Sequence, residues 1–339
     1  MQKKKSLKGY EKLIYFINVL VTLALLISYL LPYISPDKAP KISVLSLFFP
    51  ILFFINLLFF IYWLLKGKRQ LVLSLLILVV GYQHLTSLFK LTEKEILLNH
   101  DIKVMSYNVK MFNYYQWNKD DSIALKTYDF IKQKNPDILI LQEFYDDNQS
   151  TLSYPHKFVK MKSKNNKFGL AIYSKYPIIN SGSLDFKFSA NNTIFCDVLI
   201  KKDTVRVYNV HLESLKVNPN KENFGEENSE KLIGRLASTF KKQAKQVAVF
   251  KKHEENWKGK KIIAGDFNNT AFSWVYHEIK GEKNDAFEEA GKGFGKTFDY
   301  TFPLRIDFIF TDSTLEVNNF TTFKVKFSDH YPIMARLDL

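Results

Sequence analysis

The amino-acid sequence predicts an α/β domain of two packed sheets flanked by helices, preceded by three transmembrane helices. Two features of the 339 residues support this prediction. The first hundred residues contain three long runs without Lys, Arg, Asp or Glu. After them, short runs of β-forming residues alternate with segments of helical periodicity, and tight turns join some β-runs, as in two packed sheets with outer helices. The chain therefore divides into a membrane anchor, residues 1–95, and a larger domain, residues 101–339.

Each uncharged run is long enough to cross a hydrocarbon core, for which about 20 apolar residues suffice. The runs are Leu13–Pro36, Ile42–Leu65 and Gln70–Phe89, and they predict helices at about 13–33, 43–65 and 70–89. A cleaved signal peptide would explain the first run but not three in series. Three buried helices of a soluble domain fit poorly, because core helices usually keep a polar stripe and the second run has almost none.

Basic residues flank these runs unevenly. Five lysines precede the first run, and three basic residues fill the turn after the second run. The loop between the first and second runs carries only two basic residues. Because cytoplasmic loops hold the excess of Lys and Arg, the N-terminus is predicted to be cytoplasmic. Three crossings of the inner or plasma membrane then place the larger domain on the extracytoplasmic side. Three polar residues lie within the runs, Asn18, Asn56 and His84. They form a lipid or ion site, or they make hydrogen bonds between helices. The second interpretation is favoured.

The charge and cysteine content exclude little else. The formal net charge is +14, and residues 1–100, with 12 basic and 4 acidic residues, carry +8 of it. The basic balance is therefore weak evidence for nucleic-acid binding, since most of it belongs to the anchor. The single cysteine, Cys196, excludes an internal disulfide and a cysteine metal site.

Hydrophobic patterning predicts the elements of the larger domain in order. The helices are Asp120–Lys134 and Glu230–Glu255, and two polar, glycine-containing loops, Lys216–Asn228 and Glu282–Lys296, are expected to rim a cleft. The strands are Ile102–Tyr107, Asp137–Gln142, Gly169–Ser174, Phe195–Ile200, Val205–Leu212, Lys261–Gly265, Ile306–Thr311 and Ile333–Leu339.

Six short motifs place polar side chains directly after β-runs or close to them, where side chains can face a shared cleft. Their carboxylates, amides and imidazoles suit one hard divalent cation and two imidazoles acting on a phosphate ester. Oxygen ligands without a cysteine cluster favour Mg²⁺ or Mn²⁺ over Zn²⁺. The motifs are Ser-Tyr-Asn108-Val, Leu-Gln-Glu143, Asn-Val-His211-Leu-Glu, Gly-Asp266-Phe-Asn268, Arg-Ile-Asp307-Phe and Ser-Asp329-His330.

These motifs make residues 101–339 resemble the endonuclease/exonuclease/phosphatase superfamily, and they occur in the family's order. That superfamily includes deoxyribonuclease I, apurinic endonucleases, inositol polyphosphate 5-phosphatases and neutral sphingomyelinases. The resemblance implies a four-layer α/β sandwich of the deoxyribonuclease I type, with the site at the strand ends of the two central sheets. With the three apolar runs in front of this domain, the chain resembles a membrane-anchored, bacterial-type member of the superfamily.

The resemblance implies that Glu143 and Asp329 hold the metal and that Asn108 lies close to it. Lys110 follows the first motif, at a position that is acidic in apurinic endonucleases and basic in deoxyribonuclease-like members. Lys110 is therefore either a phosphate-binding residue or an ordinary solvated lysine.

The remaining motif residues resemble the family's catalytic groups. By this likeness Asp266 orients and deprotonates the attacking water, and Asn268 donates to a non-bridging phosphate oxygen. His211 stabilises the phosphorane and helps the leaving oxygen. His330 contacts the scissile phosphate, and Asp307 pairs with it and fixes its tautomer.

Two departures from the family bear on the substrate. The basic residue that the family's nucleases place just after the glutamate is missing, because Phe144 and Tyr145 follow Glu143. This argues against duplex DNA. The lysines of residues 160–167 form either an anion-binding strip or, as we favour, a solvated loop.

Three functions remain. The first is a membrane-tethered, metal-dependent phosphodiesterase or phosphatase outside the cytoplasm. The second is a metal-dependent endonuclease or exonuclease in that compartment, and the third is an inactive scaffold on the same fold. The complete set of polar residues argues against a scaffold, and tethering favours lipid or lipid-linked substrates over nucleic acid. No protein partner is predicted, and substrate identity depends on loop shapes that the sequence does not give.

Overall fold

The computed structural model describes residues 7–146, 152–163, 167–217 and 226–339. Within these residues the helices are α1 Gly9–Leu30, α2 Pro40–Ser43, α3 Phe49–Leu65, α4 Leu71–Val80, α5 Leu85–Leu88, α6 Ile123–Lys134, α7 Glu226–Glu254, α8 Trp274–Lys280 and α9 Ala286–Ala290. The strands are β1 Ile102–Asn108, β2 Ile138–Tyr145, β3 His156–Met161, β4 Phe168–Ser174, β5 Ile178–Ser183, β6 Thr193–Ile200, β7 Asp203–His211, β8 Lys261–Asp266, β9 Asn284–Asp285, β10 Asp307–Thr311, β11 Glu316–Thr322 and β12 Ile333–Asp338.

Three apolar segments pack together as an N-terminal bundle, residues 9–88. Gly9–Tyr33, Pro40–Leu65 and Leu71–Leu88 are long and apolar enough to cross a membrane. Asn18 is the polar centre of the bundle, since its amide donates to the Ser74 hydroxyl at 3.0 Å and its carbonyl accepts from the Trp63 indole at 3.0 Å.

A second polar contact in the bundle joins the first two segments. The hydroxyl of Thr22 donates to the Asn56 carbonyl at 2.7 Å. Asn18 and Asn56 therefore join helices by hydrogen bonds, which confirms the favoured interpretation of these two residues.

Two mixed sheets form the centre of the larger domain. In the described residues their strand orders are β11-β12-β1-β2-β4-β3 and β5-β6-β7-β8-β10-β9. β1 runs parallel to β2 and β7 runs parallel to β8, and the other neighbouring strands are antiparallel. One apolar core fills the space between the sheets, where Val104 and Ile140 of the first pack with Val207 and Ala264 of the second.

Helices cover the outer faces of both sheets. Ile131 of α6 packs on Leu139 of the first sheet, and Phe250 of α7 and Val275 of α8 pack on the second. The domain therefore has four layers, helix, sheet, sheet and helix, which confirms the predicted sandwich.

The structure differs from the sequence prediction mainly at the edges. β3, β5 and β11 were missed because edge strands are only partly buried and lack a strong apolar pattern. The expectation that Glu282–Lys296 is a polar rim loop is wrong. Its first half forms β9 and α9, and Phe287 is buried in the core between the sheets. For the other expected loop, residues 218–225 lie outside the described residues, and α7 begins at Glu226.

Candidate active site

Neighbouring strands of the second sheet place three predicted residues side by side. His211, which ends β7, is in register with Asp266, which ends β8, and Asp266 is in register with Asp307, which begins β10. In the first sheet, Asn108 ends β1 opposite Gln142. Because β1 and β2 run parallel, as do β7 and β8, their carboxyl ends meet at one end of the sandwich.

Asn108 joins the two sheets at this end. Its amide donates to Asp266 Oδ2 at 3.0 Å and to Glu143 Oε1 at 3.3 Å. Its own carbonyl accepts the backbone N–H of Lys110 at 3.1 Å. The predicted metal-side residue Glu143 and the predicted base Asp266 are therefore held by one buried amide.

His330 is buried beside two carboxylates. Its Nδ1 lies 2.9 Å from Asp307 Oδ2, and its Nε2 lies 3.7 Å from Asp266 Oδ2. Burial alone would lower the pKa of His330, but the charges of Asp307 and Asp266 outweigh burial and raise this pKa to about 10. The imidazole is therefore a cation at neutral pH, and Asp307 fixes its orientation as predicted.

Asp266 lies between two imidazoles of different charge. Its Oδ2 is 3.6 Å from His211 Nε2, close to the 3.7 Å that separates it from His330 Nε2. Burial raises the pKa of Asp266 to about 7. Burial also lowers the pKa of His211 to about 3, helped by the nearby charge of His330. At neutral pH His211 is therefore neutral while His330 is charged.

Asn268 is folded back onto Asp266. Its backbone N–H donates to Asp266 Oδ1 at 2.8 Å, and its amide donates to Asp266 Oδ2 at 3.2 Å and to the Leu212 carbonyl at 3.0 Å. A positive φ of 51° at Asn268 makes this reversal possible, and Asn tolerates that region better than most residues. Both hydrogens of the Asn268 amide are therefore engaged, so the predicted bond to a phosphate oxygen would require one of them to be released.

Glu143 has the surroundings of a cation ligand. A β-bulge in β2 and a positive φ of 47° turn its side chain out of the strand. Burial raises the pKa of Glu143, while Asn108 is a neutral partner. An anion that is desolvated in this way gains from a nearby Mg²⁺ or Mn²⁺, so the oxygen set of Glu143, Asp329 and Asn108 fits a hard cation.

Lys110 pairs with Asp329 at the same end of the sandwich. Its Nζ lies 2.6 Å from Asp329 Oδ2 and 4.8 Å from the centre of the Trp117 ring. Burial opposes the charged form of Asp329, but His330 and Lys110 outweigh it and lower the pKa of this carboxyl. Lys110 therefore lies beside the predicted metal ligand Asp329 with its side chain partly exposed, and its role in binding phosphate stays a prediction.

The carboxylates of Asp266 and Asp307 and a ring nitrogen of His330 also lie within 4.8 Å of one another. Such a group is able to hold a metal only if the imidazole is neutral. The charges of Asp307 and Asp266 favour the protonated imidazole while no cation is bound, and a cation on these carboxylates would oppose that form, so this group is a second candidate for the metal site.

A cleft of about 320 Å³ opens beside Glu143 and His211. Its far wall is polar and includes Lys160, Lys162, Asn191 and Asn192. Lys160 pairs with Asp185 at 3.2 Å, and both side chains are exposed to solvent, in agreement with the favoured interpretation for this lysine. Of the predicted lysine strip, residues 164–166 lie outside the described residues.

Comparison with known proteins identifies the fold family. Residues 105–330 match the model of the endonuclease/exonuclease/phosphatase family. The chain belongs to this family. Its members are hydrolases that act on phosphate esters, so the domain has a phosphoesterase or nuclease fold. Residues 11–88 match a second family, described as a domain of unknown function, and no curated protein matches the chain.

Solved structures share the fold of this family member at low sequence identity. A humanized D. rerio TDP2 with 14 mutations has a TM-score of 0.55 and 19% identity, covering 70% of this chain and 99% of that one. The human nocturnin catalytic domain with bound sulfate has a TM-score of 0.53 and 18% identity, covering 72% and 96%. A mannosyl-6-phosphatase of Bacteroides thetaiotaomicron has a TM-score of 0.53 and 15% identity, covering 70% and 100%.

Sequence reasoning missed the buried amides that support the site. The Gln142 amide donates to the Asn209 carbonyl at 2.8 Å, and the Asn209 amide donates to the backbone carbonyls of Leu141 and Ala171. Asn209 and Gln142 thus join the two sheets directly beneath His211 and Glu143. A signal was present for Gln142, which directly follows four apolar residues of β2. Asn209 gave none, because β7 also contains Asp203, Thr204 and Arg206.

Gly265 allows the strand that carries Asp266 to lie close to β7. Its φ of 146° is strained for other residues, and an added Cβ would lie 1.9 Å from the Val210 carbonyl oxygen. Gly265→Ala should therefore lower the free energy of unfolding by about 3 kcal/mol or more and reduce activity. Thermal unfolding of the full-length protein measures this. Gly234→Ala in α7 is the matched control, because nothing lies within 4 Å of its Cβ position. Equal melting temperatures for the two variants would contradict this role of Gly265.

Proposed function

We propose that this protein is a membrane-anchored, divalent-metal-dependent hydrolase of phosphate esters, a phosphodiesterase or phosphatase. The observation that carries the proposal is the position of Asp266. Its Oδ2 lies 3.6 Å from the neutral His211 and 3.7 Å from the charged His330. A carboxylate with a pKa of about 7 is suited to take a proton from water at neutral pH.

In the proposed reaction Asp266 orients the attacking water and accepts its proton. Asn108 and Asn268 donate to Asp266 and hold its carboxylate in place beside the two imidazoles. The Nε2–H of His330 donates to a phosphoryl oxygen, while its Nδ1–H stays bonded to Asp307. This arrangement stabilises the negative charge that develops on the phosphoryl group.

The other polar groups act on the remaining oxygens of the ester. The amide of Asn268 turns from the Leu212 carbonyl towards a non-bridging oxygen. Neutral His211 donates from a ring nitrogen towards the leaving oxygen. A Mg²⁺ or Mn²⁺ held by Glu143, Asp329 and Asn108 would neutralise charge on the phosphoryl and leaving oxygens. Lys110, paired with Asp329, adds positive charge for binding the phosphate.

The substrate is proposed to be a lipid or lipid-linked phosphate ester. The three apolar segments support this proposal, because anchoring confines the site to a layer near the bilayer. A nuclease is the second candidate, favoured by the shared fold with D. rerio TDP2, which was solved in complex with a single-strand DNA product. Phe144 and Tyr145 after Glu143 favour the lipid substrate, since they supply no charge for a DNA backbone.

Hydrolysis assays of the full-length protein in detergent micelles test the proposed activity. The substrates are phospholipids, nucleotides, inositol phosphates and DNA, each with Mg²⁺, with Mn²⁺ and with a chelator. We expect hydrolysis of a phosphate ester that requires the cation. Absence of hydrolysis across all four classes with both cations would contradict the proposal.

The proposed topology makes a separate prediction. With a cytoplasmic N-terminus and three crossings, the domain after residue 91 is extracytoplasmic. Alkaline phosphatase fused after Leu339 should be active, whereas a reporter that works only in the cytoplasm should be inactive at the same position. The reverse pattern would invert the assignment. A fusion before the first segment is the matched control, since it should give the opposite result.

A further inference from the structure

The loop after β8 connects the site directly to the N-terminal bundle. Four residues beyond Asn268, the ring of Phe272 stacks on that of Phe49, with centroids 3.9 Å apart. Phe272 is 5% exposed, although it lies outside the regular elements of its own domain. It belongs to one apolar cluster with side chains from all three apolar segments, Leu25, Tyr29, Phe49, Phe53, Ile77 and Leu88. A residue of a catalytic loop is therefore buried in the bundle.

The strand that carries Asp307 has a second connection to the bundle. Arg305, two residues before Asp307, is buried and donates through Nη1 to Asp285 Oδ2 at 2.5 Å. Its Nη2 donates to the backbone carbonyl of Ser87 at 3.2 Å, and Ser87 is the last residue but one of the third apolar segment. Asp307 in turn orients His330. The end of the bundle is therefore linked to the charged imidazole through Arg305 and Asp307.

The loop after β7 makes a third connection. Leu215 and Val217, which follow His211 closely, pack in one apolar cluster with Val44 and Leu47. Val44 and Leu47 lie in the second apolar segment, just before α3. All three strands that bear His211, Asp266 and Asp307 are therefore followed or preceded by a residue that contacts the bundle.

Within its own domain the loop after β8 is held mainly by Gln243 of α7. The Gln243 amide donates to the Asn268 carbonyl at 3.3 Å and to the Glu213 carbonyl at 2.8 Å, and its carbonyl accepts from Asn269 at 2.8 Å. These bonds hold the near part of the loop, while Phe272 holds the far part against the bundle. Both parts of the chain thus fix the same short loop.

From these contacts we infer that the bundle positions the active site and is more than an anchor. Phe49, Phe272 and Arg305 are the positioning residues, since they link the bundle to Asn268 and Asp307 without contacting the substrate. The inference rests on the proposed hydrolase function, since its main effect is on turnover. A shift of about 1 Å in a catalytic group lowers turnover about 10²-fold. Release of Phe272 allows such a shift at Asn268, four residues away.

The test compares two phenylalanines of α3 in the full-length protein in detergent or nanodiscs. Phe49→Ala removes the ring under Phe272, whereas Phe53→Ala removes a ring of the same cluster that stacks on Phe49 at 6.2 Å. We expect Phe49→Ala to lower kcat at least about tenfold on a small soluble phosphodiester, with KM changed little. Phe53→Ala should keep kcat near that of the wild type at a similar loss of melting temperature. Phe49→Leu, which keeps apolar bulk, should recover part of kcat.

Hydrogen exchange of the same proteins gives a measurement that does not depend on activity. We expect faster exchange in residues 266–273 for Phe49→Ala than for the wild type or Phe53→Ala. Unchanged exchange there, or equal loss of kcat in both alanine variants, would overturn the inference. If the wild type hydrolyses none of the substrates, the proposed function fails, and the exchange comparison still decides the inference. If Phe49→Ala does not fold, the comparison is made with Phe49→Leu.

Discussion

Removal of either charged group at the centre of the site should abolish most turnover. His330→Ala and Asp266→Asn are each expected to lower kcat by about 10²–10³, the usual effect of losing one preorganised donor that stabilises transition-state charge. His330→Ala removes the imidazole that pairs with Asp307 at 2.9 Å and that is proposed to donate to the phosphate. Asp266→Asn keeps the shape of the side chain but removes the atom that accepts the proton.

The folding control for these variants follows from burial. His330 is 5% exposed, so His330→Ala leaves a gap and an unpaired Asp307, and some stability is lost. His330→Asn is the second variant, because its amide nitrogen takes the place of Nδ1 and keeps a donor for Asp307 while the Nε2–H is lost. Circular dichroism and melting temperature report the fold, and steady-state kinetics on the substrate found in the assays report turnover. A folded His330→Asn protein with ordinary kcat would overturn the phosphoesterase mechanism.

Combination of the variants adds a sharper test. Because Asp266 and His330 act on the same reacting group, their double variant should lose little more than either single variant. Asp307→Asn should cost less than His330→Ala, since it disturbs only the orientation and charge of the imidazole. Multiplicative losses in the double variant would show that the two residues work in separate steps.

The sequence predicted that these polar side chains meet at one end of the sheets, because they follow evident β-runs, while their chemical roles stay predictions. Asn108, His211 and Asp266 each end a strand whose β-forming residues are evident, and the parallel pairs β1–β2 and β7–β8 bring those ends together. The buried amide contact that joins the two sheets beneath the site was not predicted. Gln142 and Asn209 are adjacent only across the two sheets, and no local pattern reports a contact between sheets.

The contact between bundle and domain could not be predicted for the same reason. Phe272 lies in a short segment after Asn268 where a single aromatic residue has no periodicity to reveal its partner. Arg305 resembles an ordinary solvated charge in sequence, yet it is buried between Asp285 and the Ser87 carbonyl. The predicted boundary at residues 95–101 separates the two parts along the chain, whereas in space they share one apolar cluster.

Loss of the Glu143 carboxylate should remove the cation without harming the fold. Burial raises the pKa of Glu143, so the charged carboxylate is less stable here than in water when no cation is bound. Glu143→Gln is nearly isosteric and removes that charge, so the melting temperature without metal should stay equal or rise. Affinity for Mn²⁺ should fall at least about 10–100-fold, the effect seen even when residues that only hydrogen-bond to a metal's ligands are lost. Turnover should fall with the affinity.

The comparison of melting temperatures with and without Mg²⁺ separates these two effects. A bound cation stabilises the folded state by mass action, so the wild type should gain melting temperature with Mg²⁺ while Glu143→Gln gains little. Asp185→Asn is the matched control, because Asp185 is a carboxylate of the same cleft that pairs with Lys160. It should keep the full gain with Mg²⁺. If Glu143→Gln and Asp185→Asn respond equally to Mg²⁺, the cation lies elsewhere, and the group formed by Asp266, Asp307 and His330 becomes the site to test.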